Sequence, residues 1–425
     1  MYSSQLQSFL VHYNLRRLTG IVLVASTIII WTFNNFTIGS FNLRSYLQPQ
    51  HVDDRIRVIH YELQRTKKRL EDPKHAKTLG EYSLDSSKQF KVVLGYTAFF
   101  HEKPWGWMNG TKRFNHWEGI ACPFFHCKLI FDNKMFLSAD AVLFHAKDMP
   151  GRVEMYRIYK QKPKEQKWIY FALEPPTFNP DSKWLNNLFH WTLTYRRDSD
   201  FYSPYGYYYR PTNGVKDADR IINNMMRRKD RFVMWASSHC ALPREKFIKK
   251  LMKFTTVDVY GKCASFVGVK SPGECKLDAP ECNRLRQRYK FQLSFENSNC
   301  KDYITEKYWN ALQLGIVPVV LGGANYSNPE LAIPGSYINA LNFKSVKKLA
   351  EYLKYLDNND KEYRKYFEWR KLYKRIIYAP WTCTVCAALN INTKKTYISR
   401  LSDFWSVNKQ CGITDNAMNK IIDAE

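Results

Sequence analysis

Between Phe295 and Lys307 the chain reads FENSNCKDYITEK. Carboxylates, an amide and a lysine crowd together just where an apolar run ends. The run YKFQLSF has the β-branched and aromatic character of a buried strand, and ligands of open α/β sheets bind outside the carboxyl ends of such strands. Ile304, Tyr308, Ala311 and Leu312 recur at i, i+4, i+7 and i+8. That spacing predicts a helix starting near 302–305 and ending at Gly315. Glu306 and Lys307 then lie in its first turn, where unpaired N–H groups and the helix dipole suit a phosphate. Lys307 adds a full positive charge, and Glu296 and Glu306 can accept hydrogen bonds from sugar hydroxyls. Together the residues describe a nucleotide-sugar pocket. An ordinary solvated first turn reads equally well from composition alone.

These residues need a scaffold, and the chain supplies two series of strands. KVVLGYTAFF, AVLFHA, KWIYFALEPP and FHWTLTYRRDSD form the first series. RFVMWASS, VDVYG, YKFQLSFEN and VPVVLGG form the second. Near-continuous apolar runs of this kind are buried parallel strands. Helices are predicted over 244–254 and 345–356, each with one apolar face. The tyrosine-rich SPYGYYYRPTNG (203–214) reads as an irregular passage between two Rossmann-like domains facing across a cleft.

The chain has 425 residues and a net charge of +26, from 65 basic and 39 acidic residues. The basic balance favours anionic partners such as nucleic acid, anionic lipid or phosphorylated small molecules, or is simply a basic surface. No zinc-finger, RNP or basic-zipper pattern is present, so no nucleic acid is expected. Residues 18–33 form a short uncharged apolar run, extendable to Ile38 as a span over 18–38, and Arg16 and Arg17 precede it. A cleaved signal peptide is the rival reading, but no small-x-small cleavage site follows, and the run reads as an uncleaved membrane anchor with a cytosolic tail (1–17) and a translocated remainder. Its short length fits an early secretory membrane. Residues 39–89, polar and partly helical, read as a stem. Ten cysteines fit disulfides better than zinc in an oxidising compartment. Three glycosylation sequons begin at Asn35, Asn109 and Asn325.

The stretch FENSNCKDYITEKYWNALQLGIVPVVLGG closely resembles the signature of the α1,3-fucosyltransferases. WIYFALEPPTFNP, LTYRRDSDFYSPYG, WRKLY and the late CTVC fit the same family, so that the likeness runs from about Lys91 to Ala388. Residues 100–140 depart from it, and the cysteines between Cys263 and Cys282 look more like invertebrate members. The resemblance implies a Golgi type II enzyme of GT-B architecture, with an acceptor-side domain (90–213), a GDP-fucose-binding domain (214–378) and a tail (379–425) packed back on the first domain. It implies inverting transfer of L-fucose from GDP-fucose to the 3-hydroxyl of a GlcNAc in a glycan, core or antennal. An inactive lumenal binding protein on the same fold, or an enzyme using another GDP-sugar, is the alternative.

Carried over by position, Glu174 is the general base, at a strand end beside Leu173 and Pro175. Arg244, Tyr260, Glu296, Asn297, Tyr303, Glu306 and Lys307 line the donor pocket. A strand-end acid, a helix charge and a packed tyrosine are the plain readings of Glu174, Arg244 and Tyr260. Cys122 and Cys127 are expected to bridge to Cys383 and Cys386. Asp198-Ser-Asp200 has the form of a metal motif, but Arg196 and Arg197 precede it, and an ion-pair or hinge role is expected. No resident metal and no tightly bound cofactor are implied, with a divalent cation at most stimulatory.

Overall fold

The computed structural model describes residues 53–71, 90–106, 114, 116–123, 126–178, 183–273, 275, 279–391, 393 and 397–424. The expected membrane anchor and the sequons at Asn35 and Asn109 lie outside them. Among the described residues no helix is long and apolar enough to cross a membrane.

Two parallel sheets carry the molecule. The first holds β1 (Lys91–Gly95), β2 (Cys127–Ile130), β3 (Ala141–His145), β4 (Lys167–Ala172), β5 (Trp191–Thr194) and β6 (Phe201–Tyr202), in the order β2-β1-β3-β4-β5-β6. Every pairing is parallel, with Phe144 beside Tyr170 and Phe171 beside Leu193 in register. The second holds β8 (Arg231–Ala236), β9 (Asp258–Tyr260), β10 (Tyr289–Phe295), β11 (Val317–Leu321) and β12 (Ile338–Asn339), in the order β9-β8-β10-β11-β12, again all parallel. Apolar side chains cover both faces of each, as a parallel sheet requires.

The passage between the sheets is more ordered than its composition suggests. Within it β7 (Tyr207–Tyr209) pairs antiparallel with β13 (Lys374–Ile376), so a ribbon ties the crossover to the later chain. The expected stem also differs. Helix α1 (Asp54–Leu70), capped by Asp53, buries Val58, Ile59, Leu63 and Leu70 against α5 (Trp381–Asn390) and the first sheet. Its polar inner residue Glu62 meets Arg197 at 2.7 Å, Arg65 at 3.0 Å and the Tyr207 hydroxyl at 2.9 Å. Residues 54–70 are therefore folded into the body rather than extended from it.

All ten cysteines are paired. Cys122–Cys383 and Cys127–Cys386 fasten α5 to the first sheet. Cys240–Cys263, Cys275–Cys282 and Cys300–Cys411 complete the set. The tail continues past α5, and α6 (Asp415–Asp423) packs Met418 and Ile421 into the core of the second sheet. It thus binds both halves of the molecule, not the first alone.

Candidate functional site

β10 ends at Phe295, and the loop that follows carries Glu296, Asn297 and Cys300 into α3 (Glu306–Gln313). Thr305 caps α3, its hydroxyl accepting from the Lys307 N–H. Ser294 Oγ and Gln292 Nε2 donate to the Lys307 carbonyl, at 2.9 and 3.1 Å, and seat the first turn over the strand. Gly323, after β11, lets the loop come close: a Cβ there would lie 2.3 Å from the Asn299 carbonyl carbon. Asp302 sits at φ 58°, an uncommon left-handed position that Asp tolerates, and its carboxylate accepts from the Arg197 N–H at 3.2 Å.

The charges of this turn form one cluster. Lys307 Nζ lies 3.0 Å from Glu306 Oε1, 2.9 Å from Thr305 Oγ1 and 3.4 Å from Glu296 Oε2. Glu296 is buried and accepts from the Thr305 N–H at 2.8 Å. Burial pushes its carboxyl above the ordinary range, against the pull of Lys307. Burial also raises Glu306, but Lys307 outweighs it and holds this carboxyl low. For Lys307 burial works downward, and Glu306 and Glu296 overcome it, so the ammonium stays charged. A partly exposed cation at a helix start, balanced by two carboxylates, is suited to exchange one of them for an anionic ligand.

Glu174 follows β4 on the other sheet. The loops meet: the Tyr303 hydroxyl donates to Glu174 Oε2 at 3.1 Å, and Thr177 Oγ1 lies 2.9 Å from Ser298 Oγ. Burial raises the Glu174 carboxyl, the Tyr303 bond opposes this, and the charge of Glu306 adds to the rise. Tyr303 is itself buried and packed on Tyr195 and Tyr205, with ring centres 5.0 and 6.1 Å away.

The other expected site residues are placed differently. Arg244, at the start of α2 (Arg244–Leu251), is buried and spends its terminal nitrogens on protein. Nη1 donates to the Phe295 carbonyl at 2.7 Å, and Nη2 to Ser237 Oγ and the His239 carbonyl at 2.8 and 2.9 Å. It braces the ends of β8 and β10, and the charges of Glu296 and Glu306 reach it. Its Nε has no partner among the described residues, and neither does Asn297 Oδ1. Tyr260 is buried in the sheet, its hydroxyl 2.8 Å from that of Tyr289. Asn325 is exposed, as a modified asparagine must be.

The Asp198-Ser-Asp200 carboxylates are engaged. Asp198 pairs with Arg196 and Lys301 at 2.6 and 2.9 Å, and Asp200 accepts from the Thr192 N–H at 2.7 Å. Arg197 turns away from both, toward Glu62 and Glu330. Among the described residues no group of acidic, histidine or cysteine side chains is arranged to hold a metal ion.

Sequence reasoning missed the clamp on the site loop. Cys300–Cys411 ties it to the tail, Lys301 N–H donates to the Gln410 carbonyl at 2.7 Å, and Asn299 bonds Asp415. Thr414 Oγ1 donates to the Gly322 carbonyl at 3.2 Å. Cysteine count alone does not give connectivity, and no periodic signal marks these contacts.

Two parallel α/β halves thus bring a raised carboxyl on one beside a cation at a helix start on the other, at the strand ends where open α/β sheets bind ligands. Comparison with known proteins agrees. Residues 226–405 match glycosyltransferase family 10 (fucosyltransferase) C-term, and residues 88–206 match the fucosyltransferase N-terminal family. Alpha-(1,3)-fucosyltransferase 4 of Homo sapiens is 35% identical over 304 residues, 62% of this chain and 55% of that protein. Glycoprotein 3-alpha-L-fucosyltransferase A of Drosophila melanogaster is 33% identical over 329 residues, 76% of this chain and 61% of that one. Alpha-(1,3)-fucosyltransferase fut-6 of Caenorhabditis elegans is 33% identical over 312 residues, 70% and 74% of the two chains. The crystal structure of an alpha1,3-fucosyltransferase with GDP has a TM-score of 0.45 at 16% identity, covering 73% of this chain and 91% of that one. The chain belongs to glycosyltransferase family 10, the fucosyltransferases. It spans 55% and 61% of the length of the human and fly relatives.

Proposed function

We propose that this protein transfers L-fucose from GDP-fucose to the 3-hydroxyl of a GlcNAc in a glycan, with inversion, on a GT-B scaffold. The observation that carries the reading is the meeting of Glu174 with the Tyr303–Lys307 segment across the two sheets. Glu174, half-buried and raised, takes the proton of the acceptor hydroxyl as its oxygen bonds to the anomeric carbon. The bond from that carbon to the diphosphate breaks, and its electron pair leaves with GDP. Lys307 and the α3 N-terminus stabilise the charge gathering on the departing diphosphate. Glu296 and Glu306 offer acceptors to the donor's hydroxyls. Arg244 acts through position, tying the loop after β8 to the end of β10. The names of the matched relatives support the sugar and the linkage.

Residues 18–38 serve as a type II Golgi anchor in this reading, with residues 53–425 in the lumen. Five disulfides support an oxidising compartment. Asn325 is a candidate glycan carrier.

The test is direct. The full chain is incubated with GDP-fucose and a panel of N-glycans and GlcNAc-terminated oligosaccharides, with and without EDTA. Mass spectrometry is expected to show one added deoxyhexose on at least one acceptor, with EDTA reducing but not abolishing it. Donor binding without a product on any acceptor would leave the inactive binding protein instead.

A further inference from the structure

The two ends of the second sheet are charged differently. At the amino ends of its strands basic side chains are matched by carboxylates. Arg231 lies 3.4 Å from Asp258, Lys290 lies 2.9 Å from Asp357, and Arg288 pairs with Asp230. At the carboxyl end and along α2 they are not matched. The span 246–270 carries six lysines, at 246, 249, 250, 253, 262 and 270, all exposed except the half-buried Lys250. Among the described residues none of the six pairs with a carboxylate. The one acid in that span, Asp258, is bonded to the Tyr289 hydroxyl at 2.5 Å. We propose that these lysines form an electrostatic approach to the donor site, drawing the dianionic diphosphate of a nucleotide sugar toward Lys307. The inference rests on the donor reading given above.

Local structure aims the charges. α2 turns Phe247, Ile248 and Leu251 into the core of the second sheet, so Lys246, Lys249 and Lys253, at i, i+3 and i+7, share its outer side. The stripe begins at the site. Arg244, two residues before Lys246, donates to the carbonyl of Phe295, the neighbour of Glu296. Lys262 arrives from β9. Gly261, at φ 84°, runs so close to the loop after β8 that a Cβ would lie 2.7 Å from the Ser237 carbonyl oxygen. The Cys263 N–H donates to that carbonyl at 3.1 Å, and Cys240–Cys263 locks the two loops together. Lys262 is thus held at the carboxyl end of its strand, beside the loop that Arg244 ties down through Ser237 Oγ and the His239 carbonyl.

The chemistry of the face selects its role. All six cations are lysines, point charges on flexible stems without the planar fork by which arginine fixes a phosphate, so they supply field rather than a shaped grip. Within the span one large apolar side chain, Phe266, is exposed, too little for the apolar centre of a protein interface. Lys246 and Lys253 stand about 10 Å apart along the helix axis. Charges at that distance from the mouth act on an arriving anion at low ionic strength, and salt screens them.

The test replaces Lys246, Lys249, Lys253 and Lys262 together by glutamine, all at exposed positions. Stopped-flow binding of N-methylanthraniloyl-GDP to the full chain gives kon and koff separately. In this variant kon is expected to fall about tenfold at an ionic strength of about 0.01 M and by less than about threefold at about 0.15 M, with koff changed less than about twofold. A second variant removes the same charge around the amino ends of the strands, by glutamine at Arg227, Arg284, Lys361 and Lys354 of α4 (Val346–Asp357), all exposed. Its kon is expected to fall by less than about threefold even at about 0.01 M. Equal losses in the two variants would assign the effect to net charge and overturn the proposal. So would an unchanged kon in the lysine variant, and heparin binding lost from that variant would then give the face to a polyanion. Fucose transfer with an unaltered kon leaves the donor reading standing alone, and steered binding without transfer does the reverse. A parent chain that does not bind the probe overturns both.

Discussion

In the proposed reaction Glu174 is the base, and two opposed neighbours set its strength. Burial and the charge of Glu306 raise it, and the Tyr303 hydroxyl holds it down. A base must be ionised to act, so kcat/KM falls as pH drops through the Glu174 pKa, and that acid limb lies above the ordinary glutamate range. Glu174→Gln cannot accept the proton, and turnover is expected to fall by ~10²–10⁴ with GDP binding retained. Tyr303→Phe removes the bond that stabilises the ionised form. Its acid limb is expected to move to higher pH, while the plateau above it changes less. A pH–rate profile of the two enzymes checks the sign, and an acid limb moving downward would refute the assignment. Lys307 acts on the other partner. Lys307→Ala loses a contact made before and during reaction, so GDP-fucose affinity is expected to weaken by about tenfold or more with acceptor affinity unchanged. Calorimetric titration with GDP-fucose and acceptor separately distinguishes the two.

Among the elements, α1 has the largest unexpected role. Its Glu62 is nearly inaccessible and holds Arg197, a buried cation that also reaches Glu330 on the second half. Removing one partner of such a pair strands the other. Glu62→Ala is therefore expected to cost roughly 3 kcal/mol, a little less if Glu330 compensates, and urea unfolding measures it. A loss below ~0.5 kcal/mol would mean that the helix is only loosely docked. The sequence made the strands legible because parallel strands buried on both faces read as unbroken apolar runs, as in KWIYFA and VPVVL. It made α3 legible because Thr305, Glu306 and the spacing of Ile304, Tyr308, Ala311 and Leu312 agree. It hid the docking of α1, since RIRVIHYELQRTKKRL is rich in charge and its polar partners Arg197 and Glu330 lie 135 and 269 residues away in the chain. Arg244 was legible as a helix start but not as a brace, because the carbonyls it serves belong to other strands. Tyr260 was legible as a strand residue, but not the meeting of its hydroxyl with that of Tyr289, which lies on another strand.

For the molecule as a whole, the covalent frame decides how the tail contributes. Cys122–Cys383 and Cys127–Cys386 span 261 and 259 residues, yet they join the same two places. In the chain-entropy treatment, either bridge alone closes a loop of about 260 residues and contributes about 5–6 kcal/mol. Once one is closed, the other completes only a small ring, made of the five-residue step from Cys122 to Cys127 and the three-residue step from Cys383 to Cys386. A ring of about nine residues is worth only about 2.5 kcal/mol. The two bridges back each other up. Replacing either pair by alanine is expected to cost about 2.5 kcal/mol, and replacing both about 8 kcal/mol, well beyond the sum of the single losses. Packing changes at the four buried positions enter both sides of that comparison. Urea unfolding of the three variants against the parent chain measures the difference, with the other three disulfides intact. Losses that simply add would show that the tail remains docked on the first sheet through α5 and α1 alone, without need of either bridge to hold it there.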